Sequence, residues 1–164
     1  MGIMTCTGLR QTEVVCWARI QRPKLNHATD DCYWCAVDGI TKKKSSDSIS
    51  HERPLLERHD TVVSAIVRLR SIHFSTLQDD TIDNATVSNK CCRKINRAIN
   101  KAWPYPNNAR VSSHFFRSFY VASTFHYFNT TSSLSAWASD VFAHSGNRLR
   151  VDWVALHWIW KFNI

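Results

Sequence analysis

The spacing of apolar residues along this 164-residue chain predicts three helices. They cover residues 61–73, 89–102 and 133–144, where apolar side chains recur every three or four positions and so fall on one face. The first helix follows Asp60, whose carboxylate can accept a hydrogen bond from a free amide of the first turn, although the β-branched residues of this segment leave a strand possible. The third precedes Gly146, a residue type that readily takes the left-handed conformation after a helix.

Two other parts of the chain carry strand signals. Asp38-Gly39 separates two short β-prone runs and favours the positive φ values of a two-residue turn, which predicts a β-hairpin near residues 32–44. Residues 42–53 are polar and lack periodicity, so we interpret them as a connection. Strict alternation of apolar and polar side chains over residues 148–153 predicts a C-terminal strand.

Residues 115–128 are almost entirely apolar and aromatic, a composition that suits a buried strand pair or a helix equally. Together the elements predict the α+β class, in a single domain that spans residues 1–164. The composition keeps an alternative open, because nine Leu and four Gly beside seven Trp and seventeen Ser depart from the usual profile of globular domains. That alternative is an irregular, poorly folded or partly disordered chain.

Positive charge and aromatic side chains are concentrated towards the C-terminus. Twelve Lys/Arg face eleven Asp/Glu in residues 1–92, whereas nine face two in residues 93–164, for a net charge of +8. Fifteen of the nineteen aromatic residues lie in residues 103–164. The chain therefore divides loosely into a charge-balanced, cysteine-containing half, 1–88, and a basic, aromatic-rich half, 89–164. The basic, aromatic-rich composition of residues 89–164 indicates an anionic partner.

The predicted helix 89–102 is the centre of the candidate binding surface, because its basic side chains follow one another at helical spacing. Basic side chains neutralise phosphates and exposed rings stack on unpaired bases, so RNA is the first expected partner. The same pattern suits peripheral contact with an anionic membrane, although no run approaches the roughly 18 apolar residues of a membrane span. The candidate anion-binding residues are Lys90, Arg93, Lys94, Arg97, Lys101, Arg110, Arg117, Arg148 and Arg150.

Cys32 and Cys35 form a Cys-x-x-Cys pair, a spacing that can direct two thiolates at one tetrahedral metal ion. No second pair follows at the spacing of a zinc finger, and the adjacent Cys91 and Cys92 suit chelation of one ion poorly. Two small buried side chains are therefore the favoured interpretation of this pair, and a small zinc-binding module is the least favoured alternative.

Catalytic motifs are incomplete in this sequence. A phosphate-cradling loop needs several glycines close together, and the chain has four that are widely spaced. His51-Glu52 lacks the second histidine one turn later that a zinc protease helix requires. The serine-nucleophile pattern Gly-x-Ser-x-Gly does not occur. We therefore predict that the chain is not an enzyme and holds no cofactor.

The leading hypothesis from the sequence is a small, basic, non-catalytic protein that associates with RNA or another anionic partner. One alternative is a lineage-restricted or alternative-frame product without a molecular activity of its own, and another is the zinc module at Cys32 and Cys35. No secretory h-region opens the chain, so we expect an intracellular location, either cytoplasmic or nuclear. The weakly basic first 29 residues leave a mitochondrial location open.

Overall fold

The structure is a computed structural model that describes residues 2–24, 31–40, 51–78, 82–102, 112–128 and 133–142. This part of the chain is mostly helical and includes a small antiparallel sheet, so the broad α+β prediction is confirmed. The helices are α1 (Gly2–Thr7), α2 (His59–His73), α3 (Asn84–Ala102), α4 (Ser113–Phe128) and α5 (Leu134–Phe142). The strands are β1 (Arg19–Gln21), β2 (Trp34–Asp38) and β3 (His51–Pro54).

The helix predicted at 61–73 is confirmed as α2, which begins two residues earlier. Its N-cap residue is Arg58, and the cap predicted at Asp60 is wrong. Asp60 instead faces Arg22, whose Nη2 atom lies 2.9 Å from each of its carboxylate oxygens. An ion pair with a residue distant in sequence has replaced the local hydrogen bond that the cap required.

The helix predicted at 89–102 is confirmed as the greater part of α3, which begins five residues earlier than predicted. Asp83 supplies its cap, since Oδ1 accepts a hydrogen bond of 2.9 Å from the amide of Thr86. The helix predicted at 133–144 is confirmed as α5 over the residues that the structure describes.

Helix α4 settles the choice that the sequence left open at residues 115–128. Eight of its sixteen residues are buried, and they do not form a single stripe. A helix enclosed on several sides needs no polar face, so its sequence lacks the 3.6-residue period that would have marked it as helical.

The hairpin predicted near 32–44 is wrong in its pairing. Strand β2 lies in the middle of the sheet and pairs antiparallel with β1 on one side and β3 on the other. Ile40 is outside any strand, and residues 41–44 lie outside the described residues. The first three residues of strand β3 fall within 42–53, so the interpretation of that whole segment as a connection is wrong. Its sequence, HERP, has no apolar alternation, so its strand conformation depends on hydrogen bonds to β2.

The helices bring the beginning and the end of the described chain together. Helix α1 packs against α2 and α4, α4 also contacts α5, and α5 contacts β3. The predicted C-terminal strand and the cap at Gly146 lie outside the described residues. None of the helices that the structure describes is long and apolar enough to cross a membrane. The contact of α1 with α4 is the one on which the candidate site depends.

Candidate phosphate-binding site

The turn after α1 holds a positively charged side chain in place with a buried carboxylate. Gly8 has a φ of 64°, and Arg10 then begins a second helical segment, in which its carbonyl accepts a hydrogen bond from Val14. Glu13 accepts two hydrogen bonds from Arg10, one from the amide and one from guanidinium Nη1, each 2.7 Å long. A Glu that returns to the first residue of its own helix is half of a capping box. The Arg10 guanidinium is thereby fixed while 20% of its side chain stays exposed.

Arg117 reaches the same carboxylate from α4. Its Nη1 atom donates a hydrogen bond of 2.6 Å to the carbonyl of Gly8 and lies 3.8 Å from Oε2 of Glu13. Its guanidinium also lies over the ring of Phe142, 4.0 Å from the ring centroid. Arg10 and Arg117 are far apart in the sequence, but the packing of α1 against α4 makes them neighbours on one acid.

The balance of charge in this cluster favours an anion. Burial alone would raise the pKa of Glu13, but the hydrogen bond from the Arg10 amide and the charges of Arg10 and Arg117 outweigh it, so the pKa lies below its ordinary value. Burial lowers the pKa of Arg117 to about 9, although Glu13 acts in the opposite direction. Arg117 is therefore still charged at neutral pH, and two guanidinium groups lie beside one carboxylate. Guanidinium groups bind phosphate oxygens with paired hydrogen bonds.

A third arginine acts electrostatically on Arg117. Arg53 is on β3 and only 2% exposed, and it pairs in register with Cys35 of β2. The next residue, Pro54, is tied to α4, since its carbonyl accepts a hydrogen bond of 2.6 Å from the hydroxyl of Tyr120. The charge of Arg53 contributes to the lowered pKa of Arg117, so the two guanidinium groups interact electrostatically.

His114 adds a proton-carrying group to the same helix. It lies one turn before Arg117 on α4 and is exposed. An imidazole titrates near neutral pH and can donate or accept a proton there.

The anchor at Glu13 predicts a defined response to acid. Because the folded-state pKa of Glu13 is depressed below 4.5, its contribution to stability is fully present above the unfolded-state pKa and is lost as the pH falls through the folded-state value. Glu13→Gln removes this contribution and leaves the half-buried Arg10 and the buried Arg117 without their acid. We expect the wild-type chain to unfold at a higher temperature than Glu13→Gln at pH 7, and the difference to shrink below about pH 4. A difference that stays constant across this range contradicts the assignment.

The basic side chains predicted on helix 89–102 form a separate surface. Five of them are exposed along α3, at Lys90, Arg93, Lys94, Arg97 and Lys101. We call these five residues the α3 basic face.

The other predicted anion-binding residues are not part of this face in the described structure. Arg117 is buried beneath Phe142 in the cluster just described and is 8% exposed. Arg110, Arg148 and Arg150 lie outside the described residues.

The two cysteines of the predicted metal pair lie at the start of β2. Cys32 is half-buried, whereas Cys35 is buried, and burial raises the pKa of its thiol to about 12. A thiol that resists ionisation is a poor zinc ligand, since the metal binds the thiolate. In the part of the chain that the structure describes, no three His, Cys, Asp or Glu side chains are grouped to hold a metal ion.

Sequence reasoning missed Arg10, Glu13, Arg53 and His114. The signal for the first two was the spacing of Arg10 and Glu13 directly after Gly8, which matches a helix start with an acid at its third position. In the sequence, Arg10 stands out only as one of the basic residues among the first 29. No local signal marks Arg53, because its strand was not predicted.

Comparison with known proteins places this chain in a family. The sequence model described as "Telomere resolvase ResT/TelK catalytic domain" matches residues 1–150. The chain belongs to this family. No curated protein sequence matches it.

Solved structures of protelomerase tela share the fold of this telomere resolvase family member. The selenomethionine protein covalently complexed with substrate DNA has a TM-score of 0.76 at 19% identity, over 96% of this chain and 50% of that one. A variant complexed with a DNA hairpin product has a TM-score of 0.75 at 18% identity, again over 96% and 50%. The chain thus spans about half the length of these proteins.

Membership of the telomere resolvase catalytic-domain family overturns the functional predictions made from the sequence. The non-catalytic association protein, the product without an activity of its own and the zinc module are all replaced by a DNA-processing enzyme family. RNA gains no support, because the solved relatives hold DNA. The prediction failed because we searched for dense local motifs, whereas this site combines residues from distant parts of the chain.

Proposed function

We propose that this chain binds double-stranded DNA and holds one phosphodiester at Arg10 and Arg117 for strand breakage and rejoining. The observation that carries the proposal is the anchoring of both guanidinium groups by the single buried carboxylate of Glu13. The family match and the DNA held by the solved protelomerase structures support it.

The geometry suits the charge that develops during phosphodiester cleavage. As the phosphorus is attacked, negative charge accumulates on its non-bridging oxygens, and groups fixed in advance stabilise that charge most effectively. Arg117 is fixed by Gly8, Glu13 and Phe142, and Arg10 by Glu13. Neither guanidinium has to reorganise much to meet the phosphate.

His114 is suited to proton transfer in this reaction. Cleavage expels a sugar oxygen, which is a poor leaving group unless a proton reaches it. The exposed imidazole one turn from Arg117 is placed to supply that proton.

Tyr120 does not supply the attacking oxygen. Its hydroxyl is committed to the carbonyl of Pro54, and burial raises its pKa well above the ordinary value. Its role is to hold β3 against α4.

The α3 basic face extends this interface along the DNA backbone. Lys90 and Lys101 are eleven positions apart, which corresponds to about 16 Å along a helix, or roughly five phosphates of one strand. Exposed Lys and Arg neutralise phosphates without reading the sequence, so this face contributes affinity.

The α3 basic face predicts a specific change in salt dependence. Replacing Arg93 and Arg97 by glutamine should reduce the slope of log affinity against log salt concentration by about two, since each neutralised phosphate contributes about 0.9. The matched control is Arg68→Gln, which removes one exposed charge from α2. Fluorescence anisotropy with a short labelled duplex measures both slopes. An unchanged slope in the double variant would exclude α3 from the interface.

The proposal as a whole is tested with the wild-type chain, a short DNA duplex and an RNA duplex of matching length. We expect binding to DNA that weakens steeply with salt and exceeds binding to RNA. Denaturing gels then report cleaved, protein-linked or hairpin strands. Absence of DNA binding at low salt, or equal affinity for both duplexes, would contradict the proposed function.

A further inference from the structure

We propose that Arg53 belongs to the phosphate-binding site and, from the interior of the protein, supplies a positive charge that the DNA phosphate neutralises. The inference rests on the proposed function and assigns a role to a residue that lies on no exposed surface. It follows from where β3 places the side chain and from the surroundings of its charge.

Strand β3 directs Arg53 into the interior. Residues that pair directly across an antiparallel sheet project on the same face, so Arg53 shares a face with the fully buried Cys35. Glu52 is adjacent in the strand and therefore projects on the opposite face, where one of its carboxylate oxygens accepts a hydrogen bond from the amide of Lys24. The nearest acid in the sequence is thus directed away from the Arg53 guanidinium.

The connection between β3 and α4 brings this charge close to Arg117. The hydroxyl of Tyr120 binds the carbonyl of Pro54, next to Arg53, and Arg117 is one turn before Tyr120 on the same helix. The electrostatic effect of Arg53 on both of these side chains agrees with that placement.

The charge of Arg53 is poorly compensated. Its Nε atom is buried and has no hydrogen-bond partner among the described residues. Within that part of the chain, the carboxylate that forms ion pairs with this cluster is Glu13, which already serves Arg10 and Arg117. Arg53 therefore has no ion-pair partner of its own among the described residues. A buried cation without its own counter-ion destabilises a protein, so an anion from outside would relieve the excess charge.

Substitutions of buried residues usually destabilise a protein, but the role proposed for Arg53 predicts a different result. Arg53→Met removes the buried charge and keeps a long unbranched side chain. We expect the variant without DNA to unfold at an equal or higher temperature than the wild type, because the uncompensated charge is gone. Its affinity for duplex DNA should fall on the order of tenfold, the effect of removing one positive charge near the bound phosphate.

Salt distinguishes this effect from that of an exposed cation. A buried charge is screened weakly, so the loss of affinity in Arg53→Met should persist as the salt concentration rises, with an almost unchanged slope. Substitutions on the α3 basic face should instead change the slope. Arg53→Lys, which keeps the charge, should recover most of the lost affinity.

The experiment measures thermal unfolding of the wild type, Arg53→Met and Arg53→Lys, and titrates the same DNA duplex with each at two salt concentrations. Loss of affinity in Arg53→Met at both concentrations, with retained folding and recovery by Arg53→Lys, supports the inference. Wild-type affinity in a folded Arg53→Met overturns it, as does an equal loss in both variants. If Arg53→Met does not fold, Arg53→Gln is compared with Arg53→Lys on the same criteria. If the wild-type chain does not bind DNA, the proposed function itself has failed.

Discussion

Replacing Arg117 by methionine should weaken binding of duplex DNA by roughly a hundredfold, equivalent to about 3 kcal/mol. The guanidinium is oriented by the Gly8 carbonyl, by Glu13 and by the ring of Phe142 before any ligand arrives. A phosphate that replaces water at such a group gains charge-assisted hydrogen bonds without the cost of ordering the side chain. Methionine removes the charge and all five N–H donors of the guanidinium while it keeps most of the apolar volume.

The controls separate binding from folding. Arg117→Lys retains the charge but lacks the planar fork, so we expect an intermediate affinity. Arg68→Met removes an exposed arginine of α2 and should bind within about twofold of the wild type, in line with the small effect of single exposed charges. Anisotropy titrations are compared for variants that retain cooperative unfolding. If folded Arg117→Met binds as tightly as Arg68→Met, Arg117 is not a phosphate ligand.

Replacing Gly8 by alanine should destabilise the folded chain by about 3 kcal/mol or more. Gly8 has a φ of 64°, which side chains with a Cβ atom adopt at a cost. A Cβ atom there would lie 2.3 Å from Cδ1 of Tyr120, and that ring cannot withdraw easily because its hydroxyl is bonded to Pro54. Since the carbonyl of Gly8 also orients Arg117, the same substitution should disturb the phosphate site.

The matched control for this prediction is Gly2→Ala. A Cβ atom at Gly2 meets nothing within 4 Å, and the residue is part of α1, where alanine is favoured. Thermal unfolding followed by near-ultraviolet circular dichroism should show Gly8→Ala melting roughly 10 °C below Gly2→Ala for a domain of this size. Equal melting temperatures would show that the turn after α1 adjusts without strain.

The phosphate site could not be predicted from the sequence because its residues are close in the structure but far apart along the chain. The spacing of Arg10 and Glu13 was visible as a helix start, but nothing in it showed that Arg117, from the opposite end of the described chain, would share the carboxylate. The position of Arg53 was harder to predict, because the polar segment that carries it forms a strand only by pairing with β2. Reasoning from the basic helix therefore located a surface and missed the buried charges.

The sequence by itself determined the elements whose pattern repeats every turn. Helices α2, α3 and α5 followed from apolar spacing, because a helix that buries one face has to place apolar side chains at that period. Only the tertiary structure decided that α4 is a helix, since a segment enclosed on several sides has no polar face to set its period. It also decided which charges meet. The contact of α1 with α4 and the hydrogen bond from Tyr120 to Pro54 bring the charged side chains together. Both interactions join residues that are far apart in the sequence.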